Sequence, residues 1–201
     1  MELSVGELWM SRPDGEAERS AEIIARAITG DRAAFEEIVR LHERRVLTLA
    51  FRLLGNGEDA QDAAQDVFLR AFKYLRRFDA SKPLEPWLVR MTVNVCRRLG
   101  RKRQRIASVQ DPPVECEDPA GNPHTQLRTE EQKTVLYRAL AELGEKERAA
   151  VVLRDIEGFT TAEVAGMLGS AEATVRSQIS VARLKMRKAI ERMKGGRDVV
   201  S

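Results

Sequence analysis

Apolar residues recur at helical spacing along most of the chain, and no stretch alternates in the two-residue rhythm of a half-buried strand. Ile23, Ile24, Ala27 and Ile28 predict a short amphipathic helix that stops at Gly30. Asp31 is a good N-cap for a longer one, carried to Gly55 by Phe35, Ile38, Val39, Leu41, Val46, Leu49, Leu53 and Leu54. After a turn at Asn56-Gly57, Ala60, Ala63, Ala64, Val67, Phe68, Ala71 and Leu75 form the tight face of a third helix. A fourth starts near Glu85, since Pro86 suits a first helical turn where its missing N–H costs nothing. Leu88, Met91, Val95 and Leu99 then make one apolar stripe at i, i+3, i+7 and i+11.

Residues 106–127 break the rhythm. They hold four of the seven prolines together with Asp111, Glu115, Glu117 and Asp118, a composition that removes backbone donors and leaves little to bury. Helical patterning resumes beyond them. Val135 to Leu143 ends at Gly144, and Glu147 to Ile156 ends at Gly158. Thr160 with Glu163 three residues on is a capping-box pattern. Val164, Ala165 and Leu168 then give a short helix, Gly169 a tight turn, and Ser170 a cap for a longer helix packed through Val175, Ile179, Ala182, Leu184 and Met186. Short helix, glycine turn and second helix opening with Arg176, Ser177 and Gln178 is helix-turn-helix grammar. An ordinary helical hairpin is the competing reading.

The expectation is an all-α protein of two small helical domains joined by a flexible linker, the second containing the helix-turn-helix. Its parts are a loose tail (1–19), a first domain (20–105), the linker (106–127), a second domain (128–194) and a short tail (195–201). Composition narrows the chemistry. The 201 residues are 43% apolar, 5% aromatic and 32% charged, with a net charge of +3 and a pI near 9.0. That balance excludes a uniformly basic, histone-like chain and makes local charge patterning decisive. Cys96 and Cys116 make neither a disulfide framework nor a metal set and suit a reducing cytoplasm. No signal-like N-terminus and no apolar run long enough to span a bilayer is present, so a cytoplasmic protein with no membrane insertion is expected. His42 and His124 are isolated, and no nucleophile–base pair or glycine-rich phosphate loop is visible. No enzyme activity, catalytic residue, metal or cofactor is expected.

Two charged faces remain. Asp59, Asp62 and Asp66 line one side of the third helix; they suit the helix dipole and could also dock a basic partner. Arg90, Asn94, Arg97 and Arg101 line one side of the fourth, where arginines suit phosphates and an Asn amide suits a base edge. A solvated basic helix end is the bland alternative.

Three stretches in order carry a family resemblance: EDAQDAAQDVFLRAF, WLVRMTVNVCRRLGRKRQR, and ALAELGEKERAAVVLRDIEGFTTAEVAGMLG with TVRSQISVARLKMRKAI. Together they resemble the extracytoplasmic-function (ECF) group of bacterial RNA polymerase sigma factors over roughly residues 20 to 193. The resemblance implies a non-enzymatic subunit that binds core RNA polymerase and directs initiation at promoters. Asp59, Asp62, Gln65, Asp66 and Phe68 would meet the polymerase clamp helices. Phe78, Asp79, Ala80 and Ser81 match the loop that captures a base flipped from the melted non-template strand of the minus-ten element. Phe78 would be the pocket wall, Asn94 stands beside it, and Arg90, Arg97, Arg98 and Arg101 would hold phosphates. Thr174, Arg176, Ser177, Gln178, Ser180 and Arg183 would meet duplex DNA at the minus-thirty-five element, Arg176 and Ser177 at the bases and Gln178 and Arg183 at the backbone. Ala173, Ser180 and Val181 depart from the family pattern, as does Lys82-Pro83 in the loop. The resemblance also implies an anti-sigma protein as partner. Two competitors are a helix-turn-helix regulator acting without polymerase and a sigma-like decoy that titrates an anti-sigma protein.

Overall fold

The computed structural model describes residues 14–106 and 127–195, with side chains described for 20–101 and 132–193. Every regular element among them is helical. The first half runs α1 (Asp14–Ile28), α2 (Arg32–Leu54), α3 (Gly57–Tyr74), a 3₁₀ turn (Leu75–Arg77) and α4 (Leu84–Ile106). The second runs α5 (Leu127–Ala141), α6 (Glu145–Val151), a π-helical turn (Val152–Ile156), α7 (Thr161–Leu168) and α8 (Glu172–Gly195).

The local signals for α2 hold. Asp31 is extended and its Oδ1 accepts from the Ala34 backbone N–H at 3.2 Å, while Gly55 closes the helix at φ 73°. Arg26 also donates to Asp31, at 3.0 and 2.7 Å, and these bonds hold the Asp31 carboxyl below its ordinary range. Asn56 is the N-cap of α3, accepting from the Asp59 N–H at 3.1 Å. Two boundaries differ from the sequence reading. Helix α1 begins at Asp14, so part of the expected loose tail is helical. Helix α8 begins at Glu172, after Ala171, so Ser170 is not its cap and lies in the turn, its N–H bonded to the Ala165 carbonyl. The linker expected over 106–127 lies outside the described residues except for Ile106 and Leu127, which are helix ends.

Small residues let the first bundle close. Ala60, Ala63, Ala64 and Ala71 are buried on α3, and with Val67 they allow α2 and α4 to approach. Phe51, Leu49, Ile38, Val93 and Leu88 fill the space between. In the second half, Val152, Leu153, Phe159, Val164, Val175 and Ala182 make the matching core. Cys96 is buried on α4 among apolar neighbours of the first bundle, and desolvation pushes its thiol up to about 12, which makes it an inert packing residue.

The helix-turn-helix is capped as its sequence proposes. The Thr160 hydroxyl accepts from the Glu163 N–H at 3.3 Å, and Glu163 accepts from the Thr160 N–H at 2.8 Å. Gly169 supplies the turn at φ 61°. Thr160→Ala is expected to cost about 1 kcal/mol, read as a lower urea midpoint at unchanged slope.

The two halves share one buried cluster. Phe51 of α2 meets Tyr137 of α5 edge-to-face at 5.0 Å. Glu157, just past the π turn and with a side chain only 6% exposed, accepts from Arg45 at 3.0 Å and from Arg52 at 2.9 Å. Arg148 reaches the Leu53 carbonyl across the seam, and also the Ala141 and Leu143 carbonyls of its own half. Burial lowers the Arg148 pKa, and these carbonyls take up its two terminal nitrogens while its Nε stays buried without a hydrogen-bond partner.

Candidate nucleic-acid interface

Helix α3 turns its alanines inward, and the phase of the helix then decides what faces out. Asp62 and Gln65 are exposed, Asp59 and Asp66 are half-buried, and Leu69 and Phe72 stand out as large apolar side chains on the same helix, 65% and 50% exposed. Phe72 is braced edge-to-face by Phe35 at 5.0 Å. Phe68, the aromatic expected at the polymerase-facing site, is instead half-buried and packed against the core. The acidic row is thus continued by Leu69 and Phe72, which the sequence reading passed over; their place opposite the alanine face was the available signal.

On α4 the predicted separation of faces is realised. Leu88 and Val95 are buried and Met91 and Leu99 partly so, while Arg90, Asn94 and Arg101 are exposed and Arg97 is half-exposed. Between α3 and α4 lies an open cleft of about 140 Å³ lined by Arg70, Tyr74, Met91, Asn94, Val95 and Arg98. Asp66 ties two of its lining residues, accepting from Arg70 at 2.9 Å and from Arg98. Asp66 therefore joins the acidic row to the Asn94 cleft. The cleft offers an aromatic ring, a thioether, an amide and two guanidiniums, a set suited to an extruded base and its phosphates.

The loop over residues 78–83 has a different character. Phe78 tilts against Trp87, ring centres 5.1 Å apart, and both rings pack on the core. Asp79 accepts from the Ser81 hydroxyl at 2.6 Å and the Ser81 N–H at 3.1 Å, and its carbonyl accepts from the Lys82 N–H. The Ser81 bonds, with Lys82 beside them, hold the Asp79 carboxyl below its ordinary range. Asp79 and Ser81 thus spend hydrogen bonds on fixing the turn, while Ala80 and Ser81 remain exposed. Tyr74 and Met91, rather than Phe78, line the cleft that holds Asn94.

On α8, Val175, Ile179 and Ala182 are buried against the rest of the second half and Met186 partly so, leaving Thr174, Arg176, Ser177, Ser180 and Arg183 exposed; Leu184, expected to pack, also faces out because the helical phase turns it away from that stripe. Gln178 is half-buried, its Oε1 shut away from solvent without a hydrogen-bond partner. Arg183 is clamped by both oxygens of Asp155, at 2.8 and 2.6 Å, which raises its pKa. Lys185 is held by Glu147. Arg176 has only a loose contact with Glu172 at 3.8 Å. The π turn matters here: its extra residue per turn sends Asp155 towards α8 and Glu157 towards α2.

No group of His, Cys, Asp or Glu among the described residues is arranged to hold a metal, and no described helix is long and apolar enough to cross a membrane.

A helical bundle with an acid-and-apolar outer row, an amide-bearing basic cleft and a helix-turn-helix define a two-part DNA-binding protein. Residues 38–106 match the profile of Sigma-70 region 2, and residues 133–186 that of Sigma-70, region 4. The chain is 38% identical over 173 residues to the ECF RNA polymerase sigma factor SigM of Mycobacterium tuberculosis, covering 86% of this chain and 85% of that one. It is 39% identical to the ECF sigma factor SigE of Mycolicibacterium smegmatis, covering 79% of this chain and 63% of that one. Its fold is similar to that of the sigma factor RpoE from Bartonella quintana, solved with the anti-sigma factor NepR, with a TM-score of 0.60 at 24% identity over 78% of this chain and 96% of that one. The chain belongs to the ECF group of the sigma-70 family of RNA polymerase sigma factors.

Proposed function

We propose that the protein is the promoter-selecting subunit of a bacterial RNA polymerase, with its surfaces divided as follows. The outer row of α3, from Asp59 through Asp62 and Gln65 to Leu69 and Phe72, docks a basic and apolar surface of the core enzyme. The Asn94 cleft receives an unpaired base of the melted minus-ten strand, Tyr74 stacking on it and Arg70, Arg98 and Arg101 holding phosphates. The first half of α8 enters the major groove of the minus-thirty-five element with Arg176 and Ser177. The bond chemistry belongs to the polymerase. The observation that carries this reading is the adjacency of the two first-half surfaces through Asp66, because a polymerase-bound strand would have to enter beside the docking helix. An anti-sigma protein covering these faces is the partner proposed for regulation, and the cytoplasm the proposed compartment.

The test is co-elution with core RNA polymerase followed by transcription from a randomised promoter library. Stable binding with selective initiation supports the reading. Binding to duplex DNA alone, with none to core, would replace it with an independent helix-turn-helix regulator. Within the complex, Asn94→Ala is expected to leave core binding intact and to lower open-complex formation about tenfold, the scale of one well-placed amide–base contact. Permanganate footprinting of the melted strand measures it.

A further inference from the structure

Helix α8 has an outward row opposite its buried one. Ala173, Thr174, Ser177, Ser180, Val181 and Leu184 occupy it at helical spacing, and all six are exposed. No charged side chain stands on this row until Lys188. Val181 and Leu184 are among the few large apolar side chains left in solvent, 40% and 52% exposed. The cations lie to the flanks, Arg176, Arg183 and Arg187 on one side and Lys185 on the other, with Arg183 and Lys185 already tied to Asp155 and Glu147. A helix that met only phosphates would gain from charge along its centre. This one carries methyl groups there and charge at its edges, a distribution complementary to a groove whose floor has apolar patches and whose walls are anionic.

In the major groove the apolar patch is the C5-methyl of thymine, present in A·T pairs and absent from G·C pairs. We propose that Val181 packs on a thymine methyl in the upstream promoter element and is a specificity-determining residue there, with the flanking Arg176 setting the register. The proposal rests on α8 being the DNA-reading helix.

The experiment uses the complex of the full chain with core polymerase on the promoter it selects most strongly. Each upstream thymine is replaced singly by deoxyuridine, which removes only the methyl group, and binding is compared for the wild-type chain and Val181→Ala. At one thymine the wild type is expected to lose about fourfold in affinity, the factor equivalent to one buried methyl. Val181→Ala is expected to bind the thymine promoter more weakly by a similar factor and to be indifferent to the same replacement, the coupling that a direct contact requires. Indifference of the wild type at every thymine, an equal thymine preference in Val181→Ala, or a selected upstream element lacking A·T pairs would each overturn the proposal while leaving the promoter-selecting role in place. A complex that selects no promoter would overturn both. Val181 is exposed, so an unchanged melting temperature is expected and separates loss of contact from loss of fold.

Discussion

Glu157→Ala is expected to destabilise the protein by about 3 kcal/mol, the largest effect expected of a polar substitution among the described residues. The wild-type carboxylate is the shared partner of Arg45 and Arg52, and its own side chain is nearly closed to solvent. Removing it takes a shared carboxylate from two guanidiniums in a seam that also holds the desolvated Arg148. The arginines retain partial exposure, 32% and 23%, and water can approach them, which keeps the cost at the lower end for a broken buried pair. Glu157→Gln keeps the volume and should lose more than half as much, because the charge is the part that matters. Urea unfolding measures both, and small-angle scattering reports whether the halves part. A loss under about 1 kcal/mol would mean that Phe51 against Tyr137, and the apolar cluster around them, holds the seam alone.

The second large effect falls on function. Asp62→Arg is expected to leave folding untouched and to weaken core polymerase binding about a hundredfold, since a like-charge contact at an interface costs several kcal/mol. Asp62 is exposed on the outer row of α3, so reversing its charge disturbs no internal contact among those described. Asp66 would be a poorer probe, because its carboxylate also anchors Arg70 and Arg98 over the Asn94 cleft, and its loss would loosen both surfaces together. Titration of labelled core enzyme at two salt concentrations measures the effect. Wild-type affinity in the variant would remove α3 from the docking surface.

Several helices were legible because they carry their own start and stop. Asp31 and Thr160 announce N-termini, and Gly55 and Gly169 announce ends, through bonds made within a few residues. The two faces of α4 were legible for the same reason, since a period of 3.6 fixes which residues share a side. Phase also sorts neighbours on α3, where the pattern itself puts Phe68 with the alanine face. Phe68 sits at the border of the alanine face and turns in, while Leu69, one residue on, turns out. The Asn94 cleft was half legible. Asn94 and Arg98 share a helix, but Arg70 and Tyr74 reach it from α3, and only packing brings them together. The seam was not legible at all. Nothing near Glu157 in sequence distinguishes it from a solvated acid, and the π turn that aims it lies outside any regular period.

That seam also sets an order of events during synthesis. Glu157 follows Arg52 by 105 residues and Arg45 by 112. The first bundle closes through contacts between successive helices, which form early. Glu157 is therefore made seconds after the bundle at ordinary rates of translation. During that interval the nascent chain is a basic-edged bundle tethered beside an anionic RNA surface. Only when the π turn emerges does Glu157 cover the pair, so the last-made half finishes the electrostatics of the first.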